Sequence, residues 1–278
     1  MPEGHTIHRL AADLVAVFAD RTVRASSPQG RFSDGSAALE GARFIDAQAY
    51  GKHLVITFAR ARRTLLLHVH LGLYGDLAVT SLKPREGPPE PWGQVRLRLV
   101  GAGAFADLRG PTACELLDPG QLDALIARLG PDPLRLEDDE RRAWQVISRS
   151  ASPIAVLLMR QDVVAGVGNV YRAEVLFRLG IDPWTPGREL ARTMWRRIWR
   201  DLVTLMAQGV DVGRIDTVRT KHLPERTGRA PRRDRHGGEV YVYRREAQPC
   251  LVCGEPIRRA ELAARNLFWC PACQSRPH

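Results

Sequence analysis

Cys250-Leu251-Val252-Cys253 and, after sixteen intervening residues, Cys270-Pro271-Ala272-Cys273 decide how the C-terminus folds. Each Cys-x-x-Cys knuckle offers two thiolates, and two knuckles can close a tetrahedron around one Zn2+. Redox-active pairs and an iron–sulfur cluster are the competing uses of four cysteines. Structural zinc is the favoured expectation, because one short segment supplies every ligand. Such a segment has little apolar core, so metal binding must supply its folding free energy, ~10–16 kcal/mol in comparable peptides. Pro256 and Ile257 near one end of the insert and Leu267-Phe268-Trp269 near the other predict a β-hairpin with Arg265 close to its tip. The fifth cysteine, Cys114, stands apart and is expected to pack.

Upstream of the knuckles, residues 213–238 are polar and rich in Arg, Pro and Gly, with seven basic and two acidic residues between Arg219 and Arg235. The composition predicts a solvated, mobile loop that either contacts a polyanion or is simply flexible. Residues 131–278 carry 26 Lys and Arg against 18 Asp and Glu, a net +8, whereas residues 1–130 carry 15 against 13, a net +2. With +10 overall and a pI near 10.0, the first candidate partner is nucleic acid. A general preference for arginine, with only three lysines in the chain, is the plainer explanation of the same charge.

Helical spacing precedes that loop. Leu190, Met194, Ile198, Leu202 and Leu205 line one face of a long helix, with Trp195 and Trp199 expected in the core. Val163-Val164-Ala165-Gly166-Val167-Gly168 leads into a further helix beginning at Asn169. Exposed amides at such a start suit phosphate, although packing or turn geometry explains most Gly-x-Gly pairs. Gly130-Pro131-Asp132-Pro133 is a loop signal and marks a domain boundary. Three regions follow: 1–130, 131–243 and 244–278.

Residues 22–118 read differently, as short β-branched runs: Phe44–Ala49, Leu54–Phe58, Thr64–Leu71, Gly75–Val79, Val95–Val100 and Ala104–Leu108, with turn residues clustered at Lys83–Gly93. This pattern suggests a sandwich or barrel. Lys52 lies in the turn Tyr50-Gly51-Lys52-His53, where a solvated charge is the ordinary outcome. His68 and His70 share one strand face and, lacking an evident third ligand, are expected to be hydrogen-bonded rather than metal-bound. Leu73-Tyr74 occupies the Gly-flanked turn Gly72-Leu73-Tyr74-Gly75, which either wedges into stacked bases or folds back on the core. Ile7, Leu10, Leu14, Val17 and Phe18 predict an amphipathic helix over residues 4–18, fixing the N-terminus against a core.

That helix follows Met1-Pro2-Glu3-Gly4-His5. A small second residue permits removal of the initiator methionine, leaving a secondary amine on Pro2. An α-amino group has a pKa of about 7.7–8.0 against about 10.4 for lysine, so a usable fraction is unprotonated at neutral pH. Its adduct with an aldehyde loses water only as a charged iminium, the electron sink on which amine catalysis depends. The Glu3 carboxyl beside it can give or take a proton. A frayed terminus is the plain alternative. No secretory signal opens the chain and no apolar run approaches a membrane span, so a soluble, cytoplasmic protein is expected.

Taken in order, Met1-Pro2-Glu3-Gly4, Gly51-Lys52, Gly166-Val167-Gly168-Asn169 and the finger with Phe268-Trp269-Cys270-Pro271-x-Cys273-Gln274 resemble the formamidopyrimidine-DNA glycosylase/endonuclease VIII family over essentially the whole chain. The resemblance implies an α+β multidomain fold. It comprises an N-terminal helix with a β-sandwich, a helix–two-turns–helix domain and a β-hairpin zinc finger, with DNA bound between domains. It implies a bifunctional glycosylase and abasic-site lyase of base-excision repair, acting as a monomer on damaged double-stranded DNA with one structural zinc on Cys250, Cys253, Cys270 and Cys273. Pro2 would be the nucleophile and Glu3 its acid–base partner. Lys52, Asn169 and Arg265 match positions that grip phosphates, and Lys52 and Arg265 are also assigned proton-donor roles in β- and δ-elimination. The Pro-Glu-Gly start and the Leu73-Tyr74 turn are similar to the endonuclease VIII branch, which prefers oxidised pyrimidines. Two departures stand out. Gly72 replaces a wedge glutamine of some relatives, and Leu108-Arg109-Gly110 lacks the wedge phenylalanine of the purine-specific branch. A non-catalytic DNA-binding zinc protein of the same fold is the alternative, and the intact Pro2 and Glu3 argue against it. An RNA-binding ribosomal zinc protein fits the charge and cysteines but not the sandwich.

Overall fold

A computed structural model describes residues 2–83, 87–234 and 238–275. Met1, part of the Lys83–Gly93 turn cluster and Arg235 at the end of the basic loop lie outside the described residues. The chain divides into two compact units, Met1–Arg128 and Leu129–His278, and each is described by itself.

In the first unit, helix α1 (Gly4–Phe18) buries Ile7, Ala11, Leu14 and Phe18, the stripe that helical spacing demands. Each fully buried large side chain in it contributes about 1.5–3 kcal/mol. Strand β1 (Arg24–Ser26) and the short helix α2 (Ser33–Leu39) follow. Helix α2 interrupts a stretch that alternation alone reads as strands. It is too short to show a helical period, and it is held by the Phe32 ring, against which a Cβ at Gly35 would lie at 2.2 Å.

Next come β2 (Arg43–Tyr50), β3 (His53–Arg60), β4 (Arg63–His70), β5 (Asp76–Ser81), β6 (Val95–Gly101), β7 (Ala104–Arg109) and β8 (Ala113–Leu117). They form two four-stranded antiparallel sheets, ordered β2-β3-β4-β8 and β1-β6-β7-β5. Their inner faces and α1 share one core, with Phe44, Phe58, Leu67, Val69, Leu99 and Leu108 among its buried members. Helix α3 (Pro119–Ala127) closes the unit under an Asp118–Gln121 capping box.

The second unit holds α4 (Glu140–Ile147), α5 (Ile154–Leu157), α6 (Asn169–Arg178), α7 (Arg192–Val212) and α8 (Pro224–Thr227). Trp195 is fully buried and Trp199 packs against the same core. Helix α7 starts at Arg192, so Leu190 is buried from the turn before it rather than from its first residue. Strands β9 (Arg258–Leu262) and β10 (Arg265–Trp269) form the predicted hairpin. Leu267 and Phe268 enter the helical core, and Trp269 meets Trp184 edge-on at 4.5 Å. The Gln274 amide donates to the Ile181 carbonyl at 3.0 Å while its oxygen accepts from the Cys270 amide at 3.0 Å. The finger segment expected over 244–278 thus shares a core with the helices expected over 131–243.

The basic stretch, expected as a solvated loop, makes specific side-chain contacts over its described part, Arg219–Asp234. Arg229 pairs with Glu239, and Arg232 pairs with Asp234 at 2.6 Å. Arg232 also donates to the carbonyls of Gly238 and Tyr243, and the Tyr241 hydroxyl accepts from the Arg219 amide at 2.9 Å. Local composition overlooks most of these partners because Gly238, Glu239, Tyr241 and Tyr243 lie beyond the end of the stretch.

Candidate active site and zinc centre

Strand polarity collects one set of residues at a single end of the first unit. Phe18, the last residue of α1, meets Phe44 at the start of β2, with ring centroids 5.9 Å apart and Asp20 N–H bonded to the Phe44 carbonyl. Helix α1 packs along β2, and its fifteen residues span about 22 Å, close to the length of β2. The start of α1 therefore lies toward the far end of β2, where Tyr50-Gly51-Lys52-His53 turns into β3. Since His53 pairs with His70, the Gly72–Gly75 turn leaves the sheet at this end too.

Pro2 is half-buried and Glu3, the N-cap of α1, is fully buried. The Glu3 carbonyl accepts from Thr6 N–H at 2.9 Å, so the helix begins directly behind the terminal proline. His5 is buried, and burial first, then the positive N-terminus, lowers its pKa to about 4. Lys52 occupies the second position of a two-residue hairpin turn and is half-buried. Gly51 takes φ +60° before it, as a II′ turn requires at its first central position.

Beside Lys52 runs a chain of imidazoles. His53 Nδ1 lies 2.9 Å from His68 Nε2, and His68 Nδ1 lies 3.0 Å from a Glu115 carboxylate oxygen. The His70 ring sits 4.7 Å from that of His53. His68 is thus hydrogen-bonded as expected, through His53 and Glu115, which strand alternation had not connected. Burial foremost, then His70, His68, Arg128 and Lys52, lowers the His53 pKa to about 3, so its ring is neutral at physiological pH. Burial also pushes the Cys114 thiol up to about 12, which makes it a packing residue rather than a nucleophile.

The Leu73-Tyr74 turn does not fold back. Tyr74 is 91% exposed and Leu73 44%. The glycine at its start is dictated by space: Gly72 has φ +67°, and a Cβ there would stand 1.9 Å from Thr112 Oγ1. A Cβ at Gly75 would meet the Leu71 carbonyl oxygen at 2.2 Å. The absence of a glutamine at position 72 is therefore built into this turn.

In the second unit the Gly166–Asn169 turn is buried, contrary to the expectation of exposed amides. Gln161 spans it, its oxygen accepting from Gly166 N–H at 3.0 Å and its amide donating to the Val167 carbonyl at 2.9 Å. Asn169 donates from Nδ2 to the Asn266 carbonyl at 2.9 Å. The fully buried Arg172 donates to Asn169 Oδ1 and, at 3.1 Å, to the same Asn266 carbonyl. Asn266 follows Arg265, which is exposed and pairs with Leu262 across the hairpin tip. Asn169 and the residue beside Arg265 are thereby joined, a link between positions 97 apart that no local pattern reveals. Glu174, fully buried one turn further along α6, accepts from the backbone amides of Tyr241, Val242 and Tyr243 at 2.7–2.9 Å and from the Thr217 hydroxyl at 2.5 Å. A glutamate among the apolar residues Val170, Val175 and Leu176 of α6 is the one sequence signal that could have marked it, since a charge buried there requires partners.

The four cysteine sulfurs lie within 4.8 Å of one another, with Cys250–Cys273 at 3.9 Å and Cys253–Cys270 at 3.5 Å. Zn–S bonds of about 2.3 Å put tetrahedral sulfurs roughly 3.8 Å apart, so the donor set fits one zinc ion. Burial raises the thiol pKa values of Cys270, to about 11, and Cys273, so loading the site releases protons to solvent.

Known proteins match these features in the same order. The formamidopyrimidine-DNA glycosylase N-terminal domain matches residues 1–114, its H2TH domain residues 129–221, and the zinc finger found in FPG and IleRS residues 247–276. Endonuclease 8 1 of Mycobacterium tuberculosis is 49% identical over 276 residues, covering 99% of this chain and all of the relative. Formamidopyrimidine-DNA glycosylase of Thermus thermophilus is 30% identical, covering 99% and 97%. The crystal structure of the MutM (Fpg) protein from that organism superposes with a TM-score of 0.74 at 28% identity over the full length of both chains. The complex of Lactococcus lactis Fpg with abasic-site DNA shares the fold, with a TM-score of 0.76 at 22% identity over 99% of this chain and all of that one. The chain belongs to the formamidopyrimidine-DNA glycosylase/endonuclease VIII family, base-excision-repair DNA glycosylases with abasic-site lyase activity.

Proposed function

We propose that the protein removes oxidised pyrimidines from double-stranded DNA through a Schiff base on Pro2 and then cuts the strand by successive β- and δ-elimination. What supports this reading is strand polarity, which brings the Lys52 turn and the Leu73-Tyr74 turn to one end of the sandwich, the end toward which the start of α1, with Pro2 and Glu3, runs. The damaged nucleotide leaves the stack, and Leu73 and Tyr74 fill the gap. The Pro2 amine, freed by loss of Met1, attacks C1′ while Glu3 shuttles the proton that opens the sugar and releases the base. The resulting iminium acidifies the C2′ hydrogen, and loss of that proton expels the 3′-phosphate. A second elimination expels the 5′-phosphate and leaves a one-nucleotide gap.

Lys52, Asn169 and Arg265 serve this chemistry by holding phosphates. An arginine keeps its proton and is a poor general acid, so charge rather than proton transfer is the role assigned to Arg265. The Asn169 amide already spends one Nδ2 hydrogen on Asn266 and has a second to offer. The two-residue Leu73-Tyr74 wedge, with Gly72 fixed by Thr112, and the stretch Leu108-Arg109-Gly110, which lacks the wedge phenylalanine, favour the pyrimidine preference.

A panel of duplexes tests the reading, each carrying one thymine glycol, 8-oxoguanine or abasic site. Faster excision of the oxidised pyrimidine, with phosphates on both sides of the gap, is expected. Excision confined to the purine would overturn the substrate assignment. Tight lesion binding without any strand cleavage would instead identify a non-catalytic DNA-binding protein.

A further inference from the structure

We propose that Trp92 is a third base-contacting side chain, which stacks on a nucleobase beside the lesion while Leu73 and Tyr74 fill the gap. This inference rests on the proposed reading of that end of the sandwich as the DNA-reading end. Among the described residues of the first unit, the exposed large hydrophobics are Leu73, Tyr74 and Trp92, the last 81% exposed. An exposed indole presents a broad π-face on which a base can stack.

The segment that carries Trp92 is pinned from beneath. Asp107, 2% exposed, accepts from Arg98 Nε and Nη2 at 2.7 and 2.8 Å and from Arg109 Nη2 at 2.8 Å. The same two arginines reach the chain above. Arg98 donates to the Pro89 carbonyl, and Arg109 Nε donates to the Trp92 carbonyl at 3.2 Å. Pro91 restricts the backbone just before Trp92. The backbone of residues 89–92 is thus held at both ends by one ion-pair cluster around the buried Asp107, so little backbone ordering entropy is left to lose when the indole binds.

Sheet register places that indole beside the wedge. Strand β7 lies between β5 and β6, and Arg109 near its end pairs with Asp76 on one side and Val95 on the other. Tyr74 stands two residues before Asp76 and Trp92 three before Val95, so both chains enter the sheet at the Arg109 level. A Cβ on Gly110 would lie 3.5 Å from the Tyr74 carbonyl oxygen, which fixes the wedge turn to the same edge. Flanking strands of a three-stranded set are about 10 Å apart, roughly three base steps at ~3.4 Å each. A wedge in the lesion gap therefore leaves Trp92 over bases next to it. Every base offers a π-face, so such a contact strengthens binding without dictating sequence.

The test uses full-length protein and a duplex bearing a tetrahydrofuran abasic analogue, with 2-aminopurine at positions flanking it on either strand. Affinity is read by anisotropy, stacking by 2-aminopurine quenching, and catalytic competence by borohydride trapping on an abasic-site duplex. Trp92→Ala should weaken binding about tenfold and abolish the quench at one position, while Trp92→Phe stays within about threefold, as loss and retention of one base–aromatic stack predict. Trp92→Ala with unchanged affinity and quenching overturns the inference. Wild-type protein that neither binds the duplex nor traps would overturn the reading of the site itself, and this inference with it. Matching melting curves for the three proteins keep the comparison free of folding effects.

Discussion

The side-chain amide of Asn169 donates to the backbone carbonyl of Asn266 at 2.9 Å. The start of α6 is thereby tied to the tip of the finger hairpin, one residue from Arg265. Arg172 buttresses both groups from a fully buried position. Replacing Arg172 with Met leaves the Asn169 and Asn266 oxygens short of a charged donor and should cost about 2–3 kcal/mol. Zinc content should stay at one per chain, because the cysteine cluster is separate, while lesion binding falls as Arg265 loses its fixed position. Unchanged thermal stability and DNA affinity in the variant would remove Arg172 from any positioning role.

Glu174 makes a second prediction. Its two oxygens accept from three consecutive amides and one hydroxyl, which a carboxylate can satisfy and a primary amide cannot. Glu174→Gln should destabilise the second unit by about 3 kcal/mol, lowering its melting temperature by about 10 °C. Calorimetry on the zinc-loaded protein measures this, and a shift below the error of the scan would contradict it.

Much of the fold was legible because its determinants are local. Ile7, Leu14 and Phe18 repeat at helical spacing and are buried as that spacing requires, and each of the six runs read as strands falls on a strand of the sandwich, with Leu71 and Gly75 overhanging by one residue. The four cysteines announced both their metal and, through Leu267 and Phe268, their hairpin. What escaped notice depends on long-range pairing. Arg172 and Asn266 carry no local mark, and Glu174 meets its amides 67 to 69 positions away. The partners of the Arg219–Asp234 stretch were hidden for the same reason: composition registers arginines, not the Glu239 and Tyr243 groups that hold them. In the candidate active site, Pro2 and Glu3 were visible at the terminus and Lys52 in a turn. That they share one end of the sandwich follows only from strand polarity.

The finger hairpin turns through Ala263 and Ala264, with φ of 51° and 56°. Left-handed backbone costs an L residue roughly 1–2 kcal/mol, and Asn-Gly adopts this turn with little strain. Ala263→Asn combined with Ala264→Gly should therefore stabilise the finger by about 1–2 kcal/mol. Slower zinc loss to a chelator is the expected readout. Faster loss would mean that the alanines make contacts worth more than the strain.

His53 ties stability to pH. Its pKa is about 3 in the folded unit and about 6.5 when unfolded, so the unfolded chain takes up the proton first as pH falls. Stability conferred by the neutral ring is complete above about pH 6.5 and is lost by roughly 1.4 kcal/mol per unit on the way down to the folded pKa. His53→Asn should be less stable than wild type at pH 7 but show a shallower decline between pH 6.5 and 4 in urea unfolding. Parallel declines in the two proteins would show that His53 is protonated in the folded state.

The central claim is that the Pro2 amine is the nucleophile, and the most direct measurement is borohydride trapping on abasic-site DNA with peptide mass spectrometry of the adduct. The account predicts a reduced sugar adduct on the peptide beginning at Pro2. It also predicts no trapped species when the amine is blocked by a retained Met1 or by one glycine inserted before Pro2. Equal trapping by the blocked chain, or an adduct mapped to Lys52 in the wild type, would contradict it.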